Sequence, residues 1–308
     1  MTSARCNLRE VSFSHLFPLE VARALSGGLA MAVAYTHSRG FVHGDIHLQN
    51  VLVKLPSSFD QFSIEELYEE YGEPETVAIT ERNKQPLPVN IPAKAVLPLY
   101  LGKAAEEFSL SDAQVLLSDF GEAFSPGHTE RLGQDCHTPL AMHPPEARFA
   151  PQSPLSYSAD IWSLAFAIWE IIGMKAIFSS EFATADDIFA QQIDVLGASS
   201  LLSEWWEAWE QRSNFFSSSS NKNTKVPKEG RYVWPPLEQA FEEGVQKYRR
   251  RSQKVKEFDE EEIAAILTLM RRMLVFRPED RLTAEEVLQS EWMVKWALPE
   301  FYKTLEMI

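Results

Sequence analysis

Helical spacing governs most of this sequence, and only two short runs favour strands. Apolar residues recur at intervals of three and four positions in residues 18–38, 63–71, 159–172, 185–196, 201–212, 260–274 and 283–288. The β-prone runs are 51–53 and 114–117. This balance predicts a mainly α fold of the α+β class, in which short strand pairs are a minor component.

The helical pattern begins at Pro18, and we expect residues 1–17 to be an irregular lead-in to one large domain at 18–307. Residues 56–113 interrupt that domain and read as an insertion. Apart from an acidic helix at 63–71, this insertion carries prolines that exclude regular helix: Pro74, Pro86, Pro88, Pro92 and Pro98. The serine-rich stretch at 213–230 predicts a flexible loop.

Charge and hydropathy exclude several classes of function. The formal net charge of -15 argues against direct binding of nucleic acid and leaves room for a basic partner. No apolar stretch is long enough to span a bilayer. With only two cysteines, Cys6 and Cys136, a reducing compartment is expected, namely the cytoplasm or the nucleus. The sequence gives no indication of an oligomeric state.

Two segments carry residues suited to phosphoryl transfer. The loop HGDIHLQN at 43–50 places Asp45 five positions before Asn50 and directly precedes a predicted strand. The segment SDFG at 118–121 places Asp119 just after the other predicted strand. Phosphoryl transfer needs a carboxylate to position the attacking hydroxyl, and metal ions held by further oxygen ligands. These three side chains could supply that set.

The two segments resemble the H-R-D-x-x-x-x-N catalytic loop and the D-F-G segment of eukaryotic protein kinases. Three later segments, at 144–146, 159–164 and 272–284, resemble the A-P-E, D-x-W-S-x-G and R-M-L-x-x-x-P-x-x-R-x-T-A motifs in the family order. The resemblance implies the larger, C-terminal lobe of a kinase. We expect the N-terminal β lobe to be absent, because the sequence has no G-x-G-x-x-G loop and no V-A-I-K lysine.

The resemblance also implies roles for single residues. Asp45 would orient the substrate hydroxyl and accept its proton, and Asn50 and Asp119 would hold the Mg²⁺ ions that bridge the phosphates of ATP. His47 occupies the position of a catalytic lysine, and Gly44 that of an arginine that binds a phosphorylated activation segment. The residues with implied structural roles, including a buried ion pair and support of the catalytic loop, are His43, Glu146, Asp160 and Arg281.

The insertion points to one group of kinases. Asp45 and Asp119 are 74 positions apart (119 minus 45), and the SR-protein kinases carry a spacer between the same two strands. That resemblance implies a Ser/Thr kinase whose protein substrate is Arg/Ser-rich, which would suit an acidic surface. Two alternatives remain open: a scaffold that keeps only the substrate groove, and a small-molecule phosphotransferase, suggested by Gly44 and His47.

Other chemically distinctive residues are expected to be structural. We interpret His37, His128, His137 and His143 as ordinary surface or loop histidines, because they lack ligand spacing. The tryptophans Trp205, Trp206, Trp209 and Trp234 are expected to pack in the core and grooves. The basic run at 247–256 is expected to be a solvated helix face rather than a docking patch.

Overall fold

The computed structural model describes residues 4–13, 15–83, 86–99, 101–179, 181–217 and 225–307. Helices dominate it, as predicted. In chain order they are α1 (Leu8–Ser12), α2 (Leu19–Ser38), α3 (Ile64–Tyr71), α4 (Pro145–Phe149), α5 (Tyr157–Ile172), α6 (Ala185–Leu196), α7 (Ser203–Ala208), α8 (Arg212–Phe215), α9 (Leu237–Phe241), α10 (Lys247–Arg251), α11 (Glu260–Met273), α12 (Ala284–Leu288) and α13 (Leu298–Glu306). The helix predicted at 201–212 is divided between α7 and α8.

The strands form small antiparallel sheets. They are β1 (Ala4–Asn7), β2 (Val51–Lys54), β3 (Thr76–Ala78), β4 (Lys94–Val96), β5 (Val115–Leu117), β6 (Phe216–Ser217) and β7 (Val226–Pro227). In the largest sheet β2 lies between β1 and β5, and Val51 pairs with Leu117. This pairing matters most for the site, because the loop at 43–50 directly precedes β2 and the segment at 118–121 directly follows β5.

The expectation of an irregular lead-in at 1–17 is wrong for residues 4–12. Strand β1 pairs with β2, and α1 follows it directly with Asn7 as its N-cap. Leu8 and Val11 of α1 are buried in the main core. Backbone pairing and apolar burial therefore fix this segment, and neither is visible in a sequence window this short.

Helix α5 is the centre of the core. Of its 16 residues 13 are buried, among them Trp162 and Trp169. A helix that is apolar on every side must be covered on every side. It contacts α2 and α11, so the loops at its amino end are held against a rigid support.

A glycine pair, Gly27 and Gly28, lies inside helix α2. A Cβ atom on Gly27 would lie 2.9 Å from the carbonyl oxygen of Ala297, and one on Gly28 would lie 2.9 Å from a methyl group of Val115. Both positions lie inside a buried helix, where glycine is otherwise unfavourable by about 1 kcal/mol relative to alanine. The pair allows α2 to approach both the C-terminal helices and β5.

The predicted insertion at 56–113 has two parts in the structure. Its exposed part contains α3, which has a capping box between Ser63 and Glu66, and the β3–β4 hairpin. Its last part joins the core, where Ala105, Phe108 and Ala113 are buried. The carboxylate of Asp112 there accepts a hydrogen bond of 3.0 Å from Arg5 on β1. The end of the insertion is therefore packed against the start of the chain.

The predicted flexible loop at 213–230 falls partly outside the described residues, which exclude 218–224. On either side of them β6 and β7 pair, with Phe216 opposite Pro227. Two tryptophans expected in the core are confirmed there: Trp205 and Trp209 are buried in a cluster with Phe189. Across the described ranges, no helix has both the length and the apolar character that membrane crossing requires.

The expectation of a solvated basic run is wrong at one position. Arg249 is completely buried, and its guanidinium donates hydrogen bonds to the carbonyl oxygens of Ile172 at 2.8 Å, Phe17 at 3.2 Å and Lys256 at 3.3 Å. Burial lowers the pKa of Arg249 to about 9. This arginine joins three segments by satisfying their backbone carbonyls, whereas Arg250 next to it is exposed.

Candidate active site

The loop at 43–50 donates backbone hydrogen bonds to one buried carboxylate. Asp160, which is 1% exposed at the start of α5, accepts hydrogen bonds from the backbone amides of His43 at 2.7 Å and Gly44 at 2.9 Å. A carboxylate that accepts two amide hydrogen bonds fixes the position of the peptide units that donate them. The predicted structural residue Asp160 thus fixes the two residues that directly precede Asp45, the predicted catalytic residue.

The same carboxylate has a third partner, which corrects one expectation. His37 Nε2 lies 2.9 Å from Asp160 Oδ2, and the His37 side chain is only 10% exposed. It is therefore not an ordinary surface histidine. The missed signal is its position at the end of α2, six residues before the loop that Asp160 supports (43 minus 37).

His43 connects the two predicted motifs. It is completely buried, its Nε2 lies 2.9 Å from the carbonyl oxygen of Ser118, and its ring packs edge-on against Phe120 at 4.7 Å. Since a carbonyl oxygen can only accept, Nε2 carries the proton and Nδ1 is the acceptor. The amide of Asp45 donates to that Nδ1 at 3.3 Å. His43 thus connects the loop at 43–50 to the segment at 118–121.

Asp45, His47 and Asn50 form one polar cluster. Asn50 Nδ2 donates to the backbone oxygen of Asp45 at 3.0 Å and to its Oδ2 at 3.1 Å. His47 Nε2 lies 3.3 Å from that same Oδ2 and 3.2 Å from Asn50 Nδ2. A neutral His47 accepts from Asn50, whereas a protonated His47 donates to Asp45. Asp45 Oδ1 is buried and has no hydrogen-bond partner among the described residues.

Asp119 follows β5, the strand that pairs with β2. The amide of Ser118 donates to the carbonyl oxygen of Asn50 at 2.9 Å, so the residues after β5 lie against the residue before β2. Asp119 adopts a left-handed conformation, with φ of 58°, which is uncommon for a residue with a side chain. The fold therefore places Ser118, the residue before Asp119, against Asn50, although the two are 68 positions apart (118 minus 50).

The donor set fits Mg²⁺. Asp119 is exposed and carries a carboxylate, and the side-chain amide of Asn50 carries one oxygen. Both groups offer oxygen ligands of the hard type that Mg²⁺ prefers. Mg²⁺ commonly takes only one or two protein ligands and completes its shell with water and phosphate oxygens. Within the described ranges, no group of three or more His, Cys, Asp or Glu side chains could hold a metal ion by itself.

Two further predicted residues form an ion pair away from the reacting groups. Glu146 on α4 and Arg281 are both buried, and two hydrogen bonds of 2.7 and 2.6 Å join them. Arg281 also donates to the carbonyl oxygens of Val275 and Ser158. The pair fixes the end of the segment 119–146 to the helices below it.

Sequence reasoning missed Glu170, which lines a groove beside the loop at 43–50. The groove has a volume of about 650 Å³, and His47, Met142 and Glu170 are among its lining residues. Glu170 Oε2 is buried with no hydrogen-bond partner in the described structure, while Oε1 lies 3.4 Å from Arg9. Burial raises the pKa of Glu170, partly offset by Arg9 and His47. A lone charge within the apolar segment 161–172 was the available signal.

The comparison with protein families agrees with this arrangement. A family profile described as Protein kinase domain matches residues 107–293, which is more than half of the chain. The chain therefore belongs to the protein kinase family. The matched range contains Asp119, Glu146, Asp160 and Arg281, and begins after the loop at 43–50. No curated protein matches the chain.

Proposed function

We propose that this protein is a Ser/Thr protein kinase similar to the SR-protein kinases, and that it transfers the γ-phosphate of ATP to hydroxyl groups of an Arg/Ser-rich protein. The observation that carries the proposal is that the Asn50 side chain holds the Asp45 carboxylate while the Asn50 backbone pairs with Ser118, the residue before Asp119. Family membership alone does not require all three side chains, since the fold depends on other residues.

Asp45 is the acceptor of the hydroxyl proton. Its Oδ2 is oriented by Asn50, and its buried Oδ1 is left without a partner in the described chain. A buried carboxylate oxygen without a hydrogen bond is unfavourable by itself. A substrate hydroxyl that donates to Oδ1 would remove this penalty at the point where proton transfer is needed.

His47 acts beside that carboxylate. In its protonated form it lies where it can place positive charge next to the transferred phosphoryl group, while its 3.3 Å contact with Asp45 keeps it in position. Asn50 and Asp119 are the ligands for Mg²⁺, which neutralises charge on the phosphates of ATP when bound. Asp160 and His43 hold the loop that carries these groups.

The substrate class follows from charge. Glu170 lines the groove beside His47 and has a buried carboxylate oxygen without a partner in the described residues. The chain as a whole has a net charge of -15. A guanidinium group of an Arg/Ser-rich segment would satisfy that oxygen with a charge-assisted hydrogen bond. The acidic surface would also steer a basic substrate toward the groove.

The proposal includes the nucleotide-covering lobe. The sequence lacks the glycine-rich loop and the strand lysine that cover ATP in this family, so we propose that residues 1–308 alone bind ATP weakly and that a small lobe from outside them completes the site. We further propose that the protein acts in the cytoplasm or nucleus, as two cysteines without metal-ligand spacing would allow.

The test is phosphate transfer from ATP to a peptide of alternating Arg and Ser, to a matched peptide of alternating Glu and Ser, and to a panel of small alcohols and amino sugars. The protein is isolated from its native cells, so that any partner or longer form is retained, and its intact mass is recorded. Transfer to the Arg/Ser peptide supports the proposal. Transfer only to small molecules, or none with any acceptor, contradicts it and favours the phosphotransferase or the scaffold.

A further inference from the structure

Within the segment between Asp119 and Glu146, the carboxylate of Glu122 accepts hydrogen bonds from two other residues of the segment. Glu122 Oε2 accepts hydrogen bonds from Arg131 Nη1 at 2.6 Å and from His137 Nδ1 at 2.7 Å. Arg131 also donates to the carbonyl oxygen of Asp135 at 3.1 Å. A single carboxylate thus connects the beginning, middle and later part of residues 122–137.

The backbone around Glu122 is joined directly to the catalytic loop. Val42 and Phe124 exchange two backbone hydrogen bonds, of 2.8 and 3.1 Å. Thr138, which is buried, donates from its hydroxyl to the carbonyl oxygen of Gly44 at 3.1 Å. The two ends of the cross-linked stretch therefore contact the residues immediately before Asp45.

Gly44 makes this contact possible. It has φ of +80°, and a Cβ atom at this position would lie 2.9 Å from the backbone oxygen of Glu122. A larger side chain at position 44, such as an arginine that reads a phosphate, would displace the segment from where it lies. The sequence therefore has glycine and not arginine at position 44, and the glycine allows Glu122 to approach closely.

We propose that the carboxylate of Glu122, paired with Arg131, takes the place of a phosphate group in positioning residues 119–138 against the catalytic loop, so that this segment is ordered without phosphorylation. The inference rests on the proposed function, because it treats these residues as the activation segment of a kinase. Glu122 and Arg131 are positioning residues, since neither contacts the reacting groups.

The chemistry of the pair suits this role. A carboxylate and a phosphate both accept charge-assisted hydrogen bonds from a guanidinium group. Arg131 and then His137 lower the pKa of Glu122, so the anion persists below the pH range usual for a glutamate. The side chains of Glu122 and Arg131 are 32% and 24% exposed, so solvent weakens the pair without abolishing it.

The experiment measures amide hydrogen exchange over residues 120–138 in the full chain, which needs no phosphate transfer. Three variants are compared with the wild type: Arg131→Met removes the cation, Arg131→Lys keeps it, and Glu130→Gln removes an exposed carboxylate on the same segment. All are also measured after phosphatase treatment, with intact masses. Melting curves confirm that each variant is folded.

We expect Arg131→Met to exchange about fivefold faster in 120–138, the effect of losing a partly exposed ion pair, with Arg131→Lys in between and Glu130→Gln unchanged. Phosphatase should change nothing in any of them. Equal exchange in the wild type and Arg131→Met overturns the inference, as does faster exchange of the wild type after phosphatase. If exchange responds as expected but no phosphate is ever transferred, the proposed function fails while the ordering role of Glu122 stands.

Discussion

Glu146 and Arg281 are 135 positions apart in the sequence and meet as a buried ion pair closed by two hydrogen bonds. Arg281 also lies over the ring of Trp162 in the central helix, 4.8 Å from the ring centroid. The pair therefore joins the end of the segment 119–146 to the core. Such a pair acts on the fold and reaches the active site only through the segment that it anchors.

Removing one partner should leave the other as an uncompensated buried charge. We predict that Arg281→Met lowers the free energy of unfolding by about 3–5 kcal/mol, measured by urea denaturation. Arg277→Met is the control, since Arg277 is exposed and its pairs are with exposed carboxylates. A loss no larger than that of the control would show that Glu146 is satisfied in some other way.

Asp160 should affect catalysis more than its buried position suggests. Asp160→Asn replaces one acceptor oxygen by an NH₂ group, which cannot accept from the amides of both His43 and Gly44. We predict a stability loss of about 1–3 kcal/mol and a fall in kcat with little change in KM for peptide. A variant with unchanged kcat would mean that the loop keeps its geometry without this support.

Glu170 should make the protein less stable as the pH rises. Burial raises its pKa in the folded state, so the folded protein holds this proton more tightly than the unfolded chain does. The stability that this raised pKa contributes is therefore fully present below the ordinary pKa of glutamate. It is lost as the pH rises from that value through the folded-state pKa. We predict that Glu170→Gln removes this decline, measured as urea stability against pH.

The same substitution should weaken recognition of a basic substrate. We predict that Glu170→Gln raises KM for an Arg/Ser peptide about tenfold, the value of one charge-assisted hydrogen bond, with kcat nearly unchanged. Glu181→Gln is the matched control, because Glu181 is exposed at the same groove. An unchanged KM would remove Glu170 from the substrate site.

Arg249 tests whether a buried cation can hold backbone segments together. Its guanidinium satisfies the carbonyl oxygens of Ile172, Phe17 and Lys256. We predict that Arg249→Met lowers the free energy of unfolding by about 2–4 kcal/mol, because these acceptors lose their partner. Arg251→Met, which changes an exposed neighbour on the same helix, should have an effect below about 0.5 kcal/mol.

The elements that sequence predicted well are those with a strong local pattern. The periodicity of residues 185–196 matches α6 to the residue, and the runs at 51–53 and 114–117 become β2 and β5. The sequence placed Asp45 and Asn50 on one loop because their spacing is local, and the structure adds a hydrogen bond between their side chains.

What sequence did not predict depends on distant partners. His37 looked ordinary because its acceptor, Asp160, is 123 positions away. Arg249 looked solvated among five other basic residues, although it continues the buried positions Phe241 and Val245 at intervals of four, which was a usable signal. The strand β1 is too short for any pattern and exists because β2 offers it an edge.

The most direct test of the central claim is phosphate transfer by protein from its native cells, comparing the wild type with Asp45→Asn and Asp119→Asn. Asp60→Asn, an exposed aspartate of the insertion, is the control. We predict that both site variants keep their melting temperature while transfer from Mg²⁺-ATP to an Arg/Ser peptide falls about a hundredfold or more. Undiminished transfer by Asp45→Asn would contradict the account.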